Sequence, residues 1–161
     1  DLTEAEKLQI AAQARFLRAW YHFEAKRMWN NVPYLDEKTY RPEDPNSTKI
    51  PNDKDIWPNI EAGLKFAYDN LPERQTQPGR VTKWAAAATL AKAQMYQKKW
   101  ADAKTLLTAI VGSGRYRLME RYHDNFRATM NNNAESVFEV QNSVNDGAGG
   151  GENGNNGATL N

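Results

Sequence analysis

The stretch VTKWAAAATLAKAQMYQKKWADA, residues 81–103, predicts two helices that are joined by a tight turn. Thr82 precedes the first helix as a candidate N-cap, and the alanines after it favour helix and let neighbouring backbones approach closely. Residues 98–99 form the turn, and Gly112 is expected to end the second helix. Apolar residues recur in that helix at helical spacing: Trp100, Ala103, Leu107 and Ile110 or Val111.

A longer helix is predicted near the start of the chain, in a region that contains AAQARFLRAWYHFEAKRMWNNVPYLDE at residues 11–37. Thr3 and Glu6 have the spacing of a capping box, which marks the first turn of this helix. The helix is expected to run to about Trp29, because Asn30 tolerates the left-handed conformation that ends many helices.

The apolar residues of this long helix form two neighbouring stripes at 100° per residue. One stripe consists of Phe16, Trp20 and Phe23. The other consists of Ile10, Ala14, Leu17, Tyr21 and Met28. Together the stripes predict a helix that is packed on at least two sides, with most of its aromatic residues in the core. Glu24 and Arg27 are predicted to form an ion pair at a packing seam, and a buried functional carboxylate at Glu24 is the alternative.

A long surface loop is predicted at residues 36–54, which contain three prolines and no apolar periodicity. The next helix is expected to start at Asp55 as N-cap, which puts Pro58 in the first turn, where its missing N–H costs nothing. Leu71 and Pro72 end that helix. Its apolar face consists of Ile56, Ile60, Leu64, Ala67 and Leu71.

These elements predict a mainly α fold of two antiparallel helical hairpins, residues 1–72 and 80–118, with a short extended or irregular C-terminal part. Residues 119–144 are predicted to be irregular with one short strand in ESVFEVQ, residues 135–141. The glycine- and asparagine-rich residues 145–161 are expected to form a flexible loop. A chain that begins in a helix and ends in a loop is interpreted as a piece of a larger protein.

The composition excludes several classes of function. The chain has 161 residues with 21 basic and 20 acidic side chains, and this balance argues against a dominant role in binding nucleic acid or anionic membranes, which needs a clustered basic surface. It contains no cysteine, which excludes disulfides, thiol catalysis and zinc–thiolate sites. No apolar run approaches the roughly 18 residues that span a bilayer.

Signals for catalysis, cofactors and metals are poor. The two histidines, His22 and His123, lie far apart in sequence, and no metalloprotease, serine hydrolase or Walker motif is present. The match GGGENG at residues 149–154 to a dinucleotide-binding pattern is interpreted as chance, because no helix can follow it. The acidic residues of the 36–55 region have no calcium-loop spacing. We therefore expect no enzyme activity, no cofactor and no metal.

The second hairpin resembles a tetratricopeptide (TPR) unit, with small residues in its first helix, Tyr96 near the end, and Trp100 and Ala103 opening the second. At a larger scale, four segments in this order strongly resemble the SusD/RagB family of nutrient-binding lipoproteins from Bacteroidetes. They are ARFLRAWYHFEAKRMWNNVPYLDE, DIWPNIEAGLKFAYDNLP, GRVTKWAAAATLAKAQMYQKKWADAKTLLTAIVGSGRYRL and ESVFEVQNS.

The resemblance implies a surface-exposed, lipid-anchored protein of the outer membrane that is not an enzyme. It implies capture of an oligosaccharide or another nutrient, as in starch utilization, in partnership with a SusC-like TonB-dependent transporter. The chain would be an internal segment, because it lacks the lipobox cysteine. The alternative is a TPR-like adaptor that binds a protein and has no role in nutrient capture.

Aromatic residues outside the helical stripes are the candidates for ligand binding, because sugar faces stack on rings while hydroxyl groups need polar partners. The family's own sugar-binding aromatics lie mostly outside the matched segments, so these candidates come from the residues alone. They are Trp29, Asn30, Asn31, Tyr34, Tyr40 and Trp57, with Asn52 as a further polar partner. The alternative is structural, with Trp29 and Tyr34 wedging the loop onto the core and Trp57 packing between the hairpins.

Overall fold

The computed structural model describes residues 1–141, in which four α-helices carry the fold. They are α1 (Glu4–Trp29), α2 (Trp57–Asn70), α3 (Lys83–Tyr96) and α4 (Trp100–Gly112). Two short 3-10 helices follow, Tyr122–Phe126 and Ala128–Met130. The loop predicted for residues 145–161 and the glycine-rich match at 149–154 lie outside the described residues. Across the described part of the chain, no helix combines the length and the apolar character needed to cross a bilayer.

Consecutive helices are antiparallel and pack side by side, which confirms the predicted mainly α fold of TPR-like hairpins. Phe23, near the end of α1, contacts Trp57, the first residue of α2. At the other end of α2, the Lys83 amide donates to the Pro72 carbonyl at 2.9 Å, so α3 starts where α2 stops. A three-residue turn then joins α3 to α4, with Lys98 in the left-handed region at φ 61°.

The helix ends follow the local sequence signals, with one displacement. Thr3 and Glu6 form the predicted capping box, and Asn30 ends α1 with φ 61°. The prediction that Asp55 is the N-cap of α2 is wrong by one residue, since Ile56 occupies that position. The Asp55 carboxylate accepts the Trp57 amide at 3.2 Å instead, and it also lies 3.4 Å from the Lys26 ammonium.

One of the two predicted stripes of α1 is core and the other is surface. Phe16 and Phe23 are fully buried and pack with Ile60 and Leu64 of α2. The second stripe was predicted to be packed, and this is wrong within residues 1–141, where Ile10 is 51% and Tyr21 64% exposed. The reason is that α2 and the chain after α1 cover only one side of this helix.

The strand predicted at residues 135–141 is absent from the described part of the chain. Side chains of this segment pack onto helices instead. Phe138 meets Phe16 edge to face with ring centroids 5.6 Å apart, and Val137 packs against the cluster that contains Trp84 and Ile110. A helical surface offers apolar contacts but no free backbone edge, so the segment is anchored without forming a ladder.

Candidate functional site

The antiparallel arrangement brings aromatic residues together at one end of the helix bundle. This end contains the last turns of α1 and α3 and the first turns of α2 and α4. Phe23, Trp57 and Tyr96 form an aromatic cluster there, with ring centroids 6.0 Å, 5.4 Å and 6.4 Å apart for the three pairs. Phe23 is buried, Trp57 is partly buried and Tyr96 is half exposed, so the cluster presents two rings on a buried support.

Charged side chains border the aromatic cluster on the α1 side. Lys26 is buried, and its ammonium lies 5.9 Å from the Trp57 ring and donates to the Asn30 side-chain oxygen at 3.3 Å. Arg27 forms an ion pair with Glu24 at 2.5 Å, and this partner raises the pKa of the guanidinium. The predicted Glu24–Arg27 pair is therefore present, with Tyr96 beside the guanidinium.

Glu61 provides the polar border on the other side of the aromatic cluster. Its carboxylate accepts hydrogen bonds from the Gln97 side-chain amide at 2.7 Å and from the Lys99 ammonium at 2.5 Å. These bonds link the start of α2 to the turn after α3 and hold the polar groups in place. Exposed rings beside planar and charged donors form the kind of surface on which a sugar can stack and hydrogen-bond.

The chain that leaves α1 turns back along the same helix. The Leu35 amide donates to His22 Nε2 at 3.1 Å, and His22 Nδ1 lies 2.8 Å from the Arg18 carbonyl. Since Nε2 accepts this hydrogen bond, Nδ1 carries the ring proton and donates to the Arg18 carbonyl. Glu37 then pairs with Arg18, whose hydrogen bond holds the pKa of that carboxyl below its usual value. His22 therefore positions the backbone in this structure.

A cavity of about 450 Å³ lies between this returning segment, the 36–54 loop and the start of α2. Tyr34 lines it and packs against His22, with ring centroids 4.7 Å apart. Burial raises the pKa of the Tyr34 hydroxyl, so the group remains a neutral donor at physiological pH. The other lining residues are Val32, Thr39, Ile50, Pro51, Asp53, Lys54, Ile56 and Asn59.

The structure separates the six candidate residues instead of gathering them into one site. Trp57 belongs to the aromatic cluster and Tyr34 to the cavity, and both also pack against the main core. Asn30 ends α1, and the Asn31 carbonyl accepts from the Asn52 side chain at 3.3 Å. The remaining two candidates, Trp29 and Tyr40, are exposed and make no ring contact within residues 1–141.

Tyr96 is not among the six candidates that the sequence indicates, because an aromatic residue near the end of α3 is also a feature of the TPR-like repeat. Its place at the last residue of α3 was the available signal, since that helix end adjoins the start of α2. Within the described residues, no group of three or more metal-binding side chains is close enough to hold an ion.

Comparisons with known proteins agree with the fold. The family model SusD-like_3, described as "Starch-binding associating with outer membrane", matches residues 1–96. The chain is 29% identical over 152 residues to a SusD-like protein of Bacteroides ovatus, which covers 88% of this chain and 28% of that protein.

Two solved structures are similar as well. A SusD-like protein from Bacteroides fragilis has a TM-score of 0.73 at 26% identity, over 90% of this chain and 29% of that one. Surface glycan-binding protein A from Bacteroides thetaiotaomicron, solved in complex with laminarihexaose, has a TM-score of 0.71 at 28% identity, over 86% of this chain and 29% of that one. The chain therefore spans less than a third of the length of these relatives.

Proposed function

Since this chain belongs to the SusD-like family, we propose that it is the helical part of a protein that captures glycans at the outer membrane and catalyses no reaction. Its hairpins, residues 1–72 and 80–118, provide the scaffold. The bound oligosaccharide passes to a SusC-like TonB-dependent transporter. A lipid anchor carried elsewhere in a longer protein keeps it at the cell surface.

The observation that carries this proposal is the aromatic cluster of Phe23, Trp57 and Tyr96. Two partly exposed rings 6.4 Å apart can stack against one or two sugar units. Charged side chains border both sides of the cluster and supply donors and acceptors for the hydroxyl groups. The glycan-bound neighbour supports carbohydrate as the ligand class, because it shares the fold at 28% identity.

The rival function, an adaptor that binds a protein, is favoured by one specific observation. The second stripe of α1 remains exposed within residues 1–141, with Tyr21 and Met28 each 64% accessible. An exposed apolar stripe of this kind is typical of a surface that another helix covers.

Calorimetric titration with maltohexaose and laminarihexaose tests the glycan proposal. We expect Tyr96→Ala to weaken binding about tenfold, which corresponds to about 1.4 kcal/mol of lost stacking. Trp57→Ala should act in the same direction, and its thermal unfolding must be measured because Trp57 also packs against the core. Tyr122→Ala is the matched control, since Tyr122 is 74% exposed and its ring contacts Phe126, outside the aromatic cluster.

The proposal fails if neither oligosaccharide binds, or if Tyr96→Ala and Tyr122→Ala bind equally well. Replacement of Tyr21 by glutamate separates the rival function. Such a change on the exposed stripe should leave glycan binding unaltered, whereas it should disrupt an adaptor's contact with a protein.

A further inference from the structure

A second, more polar cleft of about 400 Å³ lies at the opposite end of the helix bundle. Three parts of the chain frame it: the α2–α3 connection at 73–82, residues 115–116 after α4, and residues 132–139. Because α2 has 14 residues at 1.5 Å each, the cleft lies roughly 20 Å from the aromatic cluster. No residue of the aromatic cluster lines it.

Three arginines line this cleft, and they differ in how far they are already engaged. Arg80 donates to the side chains of Gln77 at 2.6 Å and Gln13 at 3.0 Å. Arg115 is partly buried and lies 4.0 Å from a carboxylate oxygen of Glu73, which is a loose ion pair. Arg74 is exposed and forms no ion pair or hydrogen bond with the described residues. Arg74 and Arg115 therefore have donors available to a ligand.

Two glutamates also line the cleft and limit its charge. Glu73 is the loose ion-pair partner of Arg115. Both carboxylate oxygens of Glu139 accept a hydrogen bond from the Asn132 backbone N–H, at 2.9 and 3.0 Å. Three arginines against two carboxylates leave a formal charge of +1 in the lining. A surplus of one charge suits a carboxylate, which Arg binds in bidentate geometry, better than a dianionic phosphate.

The remaining lining suits a sugar ring. Tyr116 is partly buried, packs against the cluster of Trp84 and Ile110, and lines the cleft. Side-chain amides and hydroxyls surround it, and such groups can both donate to and accept from sugar hydroxyls. They belong to Gln75, Thr76, Gln77, Thr82, Asn132 and Ser136.

The geometry points to a second carbohydrate site in this cleft, which binds a uronic acid unit of an acidic glycan through Arg74 and Arg115, with Tyr116 beneath the sugar ring. This inference rests on the proposed function in that it takes the ligand to be a glycan. The inference adds a preference for negatively charged glycans. It assigns that preference to residues outside the aromatic cluster.

The test compares a charged oligosaccharide with its neutral form. Tetragalacturonate and its methyl ester share one backbone and differ only in the carboxylates, and oligomers of alginate and hyaluronan supply uronic acids in other linkages. Calorimetric titration should show at least one acidic oligomer that binds the unaltered protein. If tetragalacturonate is that ligand, we expect its methyl ester to bind about tenfold more weakly, the equivalent of one charge-assisted hydrogen bond.

Three charge-matched variants locate the effect. Arg74→Gln should weaken binding of the acidic oligomer about tenfold. It should leave the fold unaffected, because Arg74 is exposed and forms no ion pair or hydrogen bond with the described residues. Arg115→Gln should do the same, with thermal unfolding measured because Arg115 is partly buried. Arg41→Gln is the control, since Arg41 is an exposed arginine of the 36–54 loop that does not line the cleft.

The inference is overturned if none of the three acidic oligomers binds, or if Arg74→Gln and Arg41→Gln bind equally well. In either case, binding of neutral hexaoses that depends on Tyr96 would leave the proposed function intact. Conversely, if binding of an acidic oligomer depends on Arg74, the result supports a carbohydrate site in the cleft, even if Tyr96→Ala does not weaken the binding of neutral glycans.

Discussion

Replacement of Gly63 by alanine tests how closely α1 and α2 approach each other. A Cβ at this position would lie 3.0 Å from Ala19 Cβ and 3.4 Å from the Arg15 carbonyl oxygen. Alanine in a helix interior gains about 1 kcal/mol over glycine, whereas an extra carbon in a packed contact costs about 1–3 kcal/mol. We therefore expect Gly63→Ala to lower the free energy of unfolding by about 1 kcal/mol.

Gly112→Ala is the matched control, because a Cβ added there would meet no atom within 4 Å beyond its chain neighbours and the adjoining backbone of α4. This variant keeps part of the alanine advantage, reduced since Gly112 is the last residue of α4. Urea denaturation followed by circular dichroism measures both variants against the unaltered protein. We expect the free energies of unfolding of Gly63→Ala and Gly112→Ala to lie on opposite sides of that of the unaltered protein, or at least to differ from each other by about 1 kcal/mol.

A second substitution shows whether the Ala19 contact is the cause. Ala19→Gly removes the atom that the new Cβ meets, so it should cost less in the Gly63→Ala background than in the unaltered protein. If Gly63→Ala is as stable as Gly112→Ala, the two helices are free to separate at this point and the packing argument is refuted.

Two further predictions concern ion pairs of α1. Arg18 lowers the pKa of the Glu37 carboxyl in the folded state. The stabilisation from this ion pair is therefore complete at pH values above the ordinary glutamate pKa of about 4.3, and it is lost as the pH falls through the lowered pKa of the folded state. Glu37→Gln should thus reduce the free energy of unfolding by a few tenths of a kcal/mol at pH 7 and by nothing in strong acid, and a gap of equal size at both pH values would contradict this. Lys26→Met should stay within about 1 kcal/mol of the unaltered protein, because the methionine fills the buried volume while Asp55 remains solvated. A loss of about 3 kcal/mol or more in the same denaturation assay would instead assign the Lys26 ammonium an essential structural role.

Local sequence signals predicted both ends of α1 and the start of α3. The capping box of Thr3 and Glu6 is present as predicted, and α1 ends at Asn30, which has a positive φ of 61°. The predicted N-cap Thr82 accepts the Ala85 amide at 3.2 Å. These features depend on residues within one helical turn, so they can be inferred without any knowledge of the tertiary fold.

Only the tertiary structure decided which of the predicted apolar faces have a packing partner and which side chains of different helices meet. Tyr21 has the periodicity of a core residue, yet it is exposed because no described element covers that side of α1. Trp57 and Tyr96 are 39 positions apart in sequence, and their contact exists because α2 and α3 are antiparallel. Arg74 and Arg115 likewise share one cleft because α3 and α4 return the chain to its starting end. Helix periodicity specifies a face, but the partner of that face is set by how whole helices pack, which no local pattern contains.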